Sequence, residues 1–129
     1  MDIIGLGTDI VEIARIERML AEYADEFCAR VYTPEEMAIA GDRRGRIVFL
    51  AGRWAAKEAA AKALGCGIGA DCAFTDINVT RDEGGRPVLT FSGTAAAYAA
   101  RLGVLAVKLS ISHESRYAVA TVILTGEAR

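Results

Sequence analysis

The amino-acid sequence predicts an α+β fold in which a mainly antiparallel sheet packs against one long helix. Three observations carry this. The run from Arg44 to Leu64 is alanine-rich, free of proline and followed by Gly65, as a long helix with a glycine stop should be. Val107, Leu109 and Ile111 alternate with Lys108, Ser110 and Ser112, the two-residue period of a half-buried strand. Asp82-Glu83-Gly84-Gly85 separates two short β-rich runs, which is a hairpin signal.

The remaining elements follow in chain order. Ile3 to Ile10 is a short, mostly uncharged run broken by Gly5 and Gly7, expected as a buried strand with Asp9 at its end. Beyond it, Ile13, Ile16, Leu20, Tyr23 and Phe27 recur at spacings of three and four, the apolar stripe of a helix starting near Val11. The other face of that helix shows Arg15, Arg18, Met19 and Glu22. Thr33-Pro34-Glu35-Glu36 is a capping box with proline at the first helical position, so a short helix starts there. Gly52 interrupts the long helix at a cost of about 1 kcal/mol relative to alanine and points to a close contact. Phe74 to Thr80 and Pro87 to Phe91 are the hairpin strands. Ser92 or Thr94 caps an alanine helix ending at Gly103, and Tyr117 to Leu124 is the last strand.

No repeat, linker or low-complexity tract divides the 129 residues, so residues 1–129 are expected to form a single domain. An apolar content of 53% excludes a disordered chain. The longest stretch without a charged residue, Pro87 to Ala100, is too short and too interrupted to cross a bilayer. Met1-Asp2-Ile3-Ile4-Gly5 carries an acid where a secretory signal would be basic, which predicts a cytoplasmic protein. Cys28, Cys66 and Cys72 form neither an even set nor a C-x-x-C pair, so they read as buried or incidental thiols.

A net charge of −2 argues against general nucleic-acid binding. The distribution says more. Between Arg43 and Lys62 stand six cations (Arg43, Arg44, Arg46, Arg53, Lys57 and Lys62) against the single acid Glu58. A local basic patch on an acidic protein points to a specific anionic ligand, and arginine suits bidentate phosphate contacts.

Several residues have two readings. Asp9 is either the cap of the following helix or a ligand for a hard cation. Glu58 and Lys62, at i and i+4, are either a surface helix pair or part of a metal and phosphate site on a helix face whose alanines admit a ligand closely. The Arg43-Arg44-Gly45-Arg46 cluster is either a solvated loop or an anion site at a helix start, which Arg53, Lys57 and Lys62 would extend. His113, the only histidine, is either structural or a ligand contact. Arg15, Arg18 and Met19 are either plain surface or a stripe for an acidic partner helix with an apolar strip. No Walker-type phosphate loop, dinucleotide fingerprint or nucleophile elbow is present.

Three motifs in order resemble the holo-[acyl-carrier-protein] synthases, the small bacterial class of 4′-phosphopantetheinyl transferases. Gly5-Leu6-Gly7-Thr8-Asp9-Ile10-Val11-Glu12-Ile13 resembles the family's opening motif, and Phe49 to Gly65, centred on Gly52-Arg53-Trp54-Ala55-Ala56-Lys57-Glu58, its central signature. Ser110-Ile111-Ser112-His113-Glu114, followed by Tyr117-Ala118-Val119-Ala120, resembles its closing motif. The match covers about Asp2 to Leu124. It implies transfer of phosphopantetheine from coenzyme A to a serine of acyl carrier protein, with release of adenosine 3′,5′-bisphosphate. It places Mg²⁺ on Asp9 and Glu58, with Lys62 as a third catalytic residue. It implies coenzyme contacts at Arg43, Arg44, Arg46, Arg53, Lys62, Ser112 and His113, and a carrier-protein face at Arg15, Arg18 and Met19. It also implies a homotrimer with its sites between subunits. The chain departs from the pattern at Glu22 and Asp25, where relatives are often basic, and at Trp54, where phenylalanine is common. The rival reading is a non-enzymatic module that binds an acidic protein or a phosphorylated ligand, which would need the basic patch but not the two carboxylates.

Overall fold

The computed structural model describes Met1 to Arg129. The order is β1 (Asp2–Glu12), α1 (Ile13–Val31), α2 (Pro34–Ala40), α3 (Arg46–Leu64), a 3₁₀ turn (Phe74–Asp76), β2 (Ile77–Arg81), β3 (Pro87–Phe91), α4 (Gly93–Leu102), β4 (Val104–His113) and β5 (Tyr117–Gly126). It is an α+β fold with antiparallel sheets. One sheet has the order β1-β5-β4, and β2 and β3 form a separate two-stranded sheet.

The long-helix expectation is corrected in number. α1 and α3 both span 19 residues, but α1 is broken at Ala24, whose φ of 36° lies outside helical space. α3 is therefore the long regular helix, and it lies across β1 and β5. Its packing face is almost all alanine: Ala51, Ala55, Ala56, Ala59 and Ala60 are fully buried. The strand answers with glycine. A Cβ on Gly5 would overlap the Ala63 carbonyl, and one on Gly7 the Ala59 carbonyl. Backbone thus approaches backbone, which side chains on either element would prevent.

The expectation of a fully buried first strand is also corrected. Gly7 and Val11 are buried beneath α3, but Ile3, Leu6 and Ile10 are 73%, 64% and 64% exposed on the opposite face. The strand also runs past Asp9 to Glu12, and Glu12 occupies the cap position of α1 without a side-chain cap bond. The capping reading of Asp9 therefore falls.

At the other elements the local chemistry acts largely as its residue types dictate. Thr33 Oγ1 accepts from the Glu36 amide, and Glu36 Oε1 accepts from the Thr33 amide at 2.8 Å, the reciprocal box at the start of α2. Gly65 and Gly103 close α3 and α4 in the left-handed conformation. The hairpin register pairs Ile77 with Phe91 and Arg81 with Pro87. Phe74–Asp76 is a 3₁₀ turn, not the start of the strand. Ser92 is the cap residue of α4, but its hydroxyl donates to the Asp76 carbonyl and Thr94 donates to Asp76 Oδ2.

Candidate active site

Strand alternation decides what β1 offers to α3. Its residues facing the helix are Gly5, Gly7, Asp9 and Val11, paired across the sheet with Leu124, Val122, Ala120 and Ala118, all buried. Asp9 is thus the one charged residue on the packed face of the strand. On α3, Ala59 and Ala63 meet the glycines, so Glu58 and Lys62, each one position earlier, stand at the rim beside Asp9. Lys62 Nζ donates to Asp9 Oδ1 at 3.0 Å and to the Thr8 carbonyl at 3.1 Å. The lysine therefore bridges helix to strand and is not a partner for Glu58, so the reading of Glu58 and Lys62 as an ordinary helix pair is set aside.

Glu58 is electrostatically crowded. Burial, and then the neighbouring Asp9 carboxylate, push its carboxyl above the ordinary glutamate range, against the opposing pull of Lys62 and Arg15. Two carboxylates from different elements, one of them electrostatically crowded, form a site that a hard divalent cation would relieve. Arg15 of α1 lies over the Trp54 ring, one turn before Glu58 on α3, so α1 runs beside this cluster.

A second group of residues gathers around the N-terminal end of α3. Arg43, Arg44, Arg53, Arg81 and His113 line one cavity of about 450 Å³, with Phe49, Gly52 and Ile111 among its apolar walls. Gly52 makes a close approach there, since a Cβ would lie 3.0 Å from Ile111 Cγ2 and that side chain would have to shift slightly. No carboxylate lines the cavity. Arg53 is 8% exposed, and its Nε is buried without a hydrogen-bond partner. Burial, with Arg81 and Arg43 close by, pulls this guanidinium down to about 10, against the opposing pull of Glu36. Four guanidinium groups and no carboxylate give the cavity a positive lining of the kind that suits an anion.

Other residues of the sequence reading are placed elsewhere. Lys57 does not extend the positive field. It is wholly buried, paired with Glu36 at 2.7 Å, and donates to the Val31 and Phe74 carbonyls at 2.7 and 3.0 Å. Its position on the inner side of α3, opposite the rim, sends it into the core. Arg46 opens α3 but does not line the cavity. Ser112 pairs with Val119 on the outer sheet face, so it points away from its neighbours Ile111 and His113. On α1, Arg18 is exposed, and the Arg15 guanidinium lies 5.3 Å from the centre of the Trp54 ring. Met19 is half-buried against the core and not freely exposed, at a cleft shared with Tyr23, Phe27 and Arg30. Arg81 is absent from the sequence reading, because only the fold carries the end of β2 to the first turns of α3.

Residues 5–122 match the family model described as the 4′-phosphopantetheinyl transferase superfamily. The chain belongs to that superfamily. A transferase relative from Photobacterium profundum, named holo-[acyl-carrier-protein] synthase, is 48% identical over 124 residues, covering 96% of this chain and 98% of its own. The crystal structure of holo-[acyl-carrier-protein] synthase from Neisseria meningitidis superposes with a TM-score of 0.89 at 35% identity, covering 96% of this chain and 99% of that one. The holo-(acyl-carrier-protein) synthase from Bacillus anthracis str. Ames, in complex with CoA (3′,5′-ADP), superposes with a TM-score of 0.80 at 42% identity, covering 97% and 98%. Within this phosphopantetheinyl transferase chain, the carboxylate cluster and the arginine cavity both draw on α3.

Proposed function

We propose that the chain transfers the 4′-phosphopantetheine moiety of coenzyme A to a serine hydroxyl of acyl carrier protein, converting apo to holo carrier for fatty acid or polyketide synthesis and releasing adenosine 3′,5′-bisphosphate. The observation that carries this reading is the meeting of Asp9 with Glu58 and Lys62 at the β1–α3 crossing, in a chain that also holds an acid-free arginine cavity. A module that only binds an anion needs the cavity alone, so the paired carboxylates favour the enzyme.

Attack at a pyrophosphate phosphorus calls for alignment and charge neutralisation more than covalent help. Asp9 and Glu58 fit Mg²⁺, which favours one or two carboxylates together with substrate phosphates; when bound, such a cation polarises phosphoryl oxygens. Lys62 holds Asp9 in place through its ion pair and adds a positive charge beside the phosphates. Arg43, Arg44, Arg53 and His113 would take the anionic nucleotide portion of coenzyme A, in the cavity they line. Arg46 and Ser112 would contact coenzyme only from outside that cavity. Arg15, Arg18 and Met19 would receive the acidic helix of the carrier, and the closeness of α1 to Glu58 would bring the carrier serine to the carboxylates.

The same reading makes the enzyme a homotrimer. On the outer sheet face, Leu6 stands in register with Ile123, and Ile10 with Val119. These two apolar pairs flank Thr8 and Thr121 on the β1–β5 part of the face, and exposed apolar side chains so placed suit a subunit contact. A cytoplasmic location belongs to the reading too, supported by three free cysteines. No helix is long and apolar enough to cross a membrane.

Turnover with coenzyme A and an apo-carrier, with and without Mg²⁺, tests the proposal. Asp9→Ala and Glu58→Ala are each expected to lose most transfer while circular dichroism stays native. Near-normal turnover of either variant at limiting Mg²⁺ overturns the metal assignment, and no turnover of the unaltered protein leaves the binding module.

A further inference from the structure

Two arginines of α1, three residues apart, differ in what holds them. The Arg15 guanidinium carbon lies 5.3 Å from the centre of the Trp54 ring on α3, a cation–π distance. Arg18 is exposed and makes neither a cation–π contact nor an ion pair. Arg15 also lacks an ion-pair partner, so the ring places its charge without neutralising it. Its fork of donors stays available to a carboxylate.

Trp54 is itself fixed by other rings. Phe74, from the 3₁₀ turn, lies 4.8 Å away between ring centres at an interplanar angle of 32°. Phe27, from beyond the break in α1, stacks on it at 5.9 Å and 24°, and meets Tyr32 edge-on at 5.9 Å. Offset and edge-on pairs at these separations hold ring orientation. Phe27 and Phe74 are buried, whereas Trp54 is half-buried against the core. The indole thus joins a rigid aromatic cluster to the surface where Arg15 lies. It also stands one helical turn, about 5.4 Å along the axis, before Glu58. An arginine set on this ring is set relative to the Asp9–Glu58 cluster as well. Arginine has many rotamers to lose on binding, and one already placed loses fewer.

We propose that Trp54 is a positioning residue for carrier recognition: its ring holds Arg15 in place on α1 for an acidic group of the carrier, one helical turn from Glu58. The inference rests on the transfer reading and on the carrier face of α1, and adds to them a residue of α3. Trp54 acts through Arg15 and not by touching the carrier.

The test is a double-mutant cycle read on KM for the apo-carrier. Trp54→Leu should raise that KM about fivefold, the worth of one exposed cation–π contact, with kcat and KM for coenzyme A held within about twofold. Trp54→Phe, which keeps a ring of weaker pull on cations, should recover part of the loss. In an Arg15→Gln background Trp54→Leu should add nothing, whereas in an Arg18→Gln background its effect should persist in full. Trp54 is the only tryptophan, which supplies a readout without turnover. Arg15→Gln should change its emission in the free protein, and Arg18→Gln should not. Circular dichroism and the thermal midpoint establish folding; if Trp54→Leu fails to fold, Trp54→Phe takes its place in the cycle. An equal loss from Trp54→Leu with and without Arg15 overturns the proposal and makes the ring a direct carrier contact. Emission indifferent to Arg15 overturns it, as does a loss that falls on kcat or on KM for coenzyme A. If Arg15→Gln leaves KM for the carrier unchanged, the proposal falls and the transfer reading stands. No transfer by the unaltered protein overturns both.

Discussion

Lys57 and Glu58 are adjacent in sequence and have opposite roles. Glu58 stands at the rim of α3 beside a second acid. Lys57 points inward, where burial lowers its affinity for a proton and Glu36 restores part of it. Its ammonium joins α3 to α2 through Glu36, to the end of α1 through the Val31 carbonyl, and to the turn before β2 through Phe74. Glu36 in turn accepts from the Val79 amide at 2.7 Å. Removing one partner of such a buried pair leaves an uncompensated charge. Lys57→Met is therefore expected to lower unfolding free energy by about 3–5 kcal/mol, read from urea midpoints and slopes. The double variant Lys57→Met with Glu36→Gln should recover part of that loss. A single-variant loss below about 1 kcal/mol would show that the pair contributes little.

Two interfaces between elements decide whether the chemistry is assembled. The first is the crossing of β1 and α3, where glycine on the strand meets alanine on the helix. Gly7→Ala must push the two backbones apart, at a cost of about 1–3 kcal/mol. The same shift separates Asp9 from Glu58, so transfer should fall further than the stability loss explains. Gly69→Ala, where nothing lies within 4 Å of the new Cβ, is the matched control and should stay within about 0.5 kcal/mol of the unaltered protein. The second is the outer side of α1. If Arg18 meets an acidic carrier, Arg18→Glu should raise KM for the carrier and leave KM for coenzyme A nearly unchanged. The effect should shrink as salt rises, because an exposed charge acts through a screened field. Equal changes for both substrates would remove the carrier from this helix.

For the whole molecule, the telling surface is the outer face of the three-stranded sheet. Leu6 and Ile10 are each 64% exposed on either side of Thr8, and exposed apolar side chains so placed suit a subunit contact. Leu6→Glu should dissociate the assembly in sedimentation, and activity should fall with it if each site is shared between chains. Mixing Asp9→Ala with Arg53→Ala protein, each inactive alone, should restore some turnover by regenerating intact sites after subunit exchange. A fully active monomer would end the shared-site arrangement.

Local chemistry written in short segments was legible in the sequence. The Thr33–Glu36 capping box, the glycine stops at Gly65 and Gly103, the hairpin turn at Asp82–Gly85, and the candidate carboxylates Asp9 and Glu58 each depend on a few neighbouring residues. Family motifs lie within equally short stretches. Tertiary structure decided everything that depends on direction. Burial of Lys57 and exposure of Arg18 follow from which side of each helix meets the core, and the placement of Ser112 opposite His113 follows from strand register. It also decided that Lys62 bonds Asp9 from 53 residues away and that Arg81 joins Arg53 at Phe49. Composition and spacing set what each segment can form. Only the packing of segments distant in sequence sets which charges meet, because electrostatic interaction depends on separation in space and on the burial that packing creates.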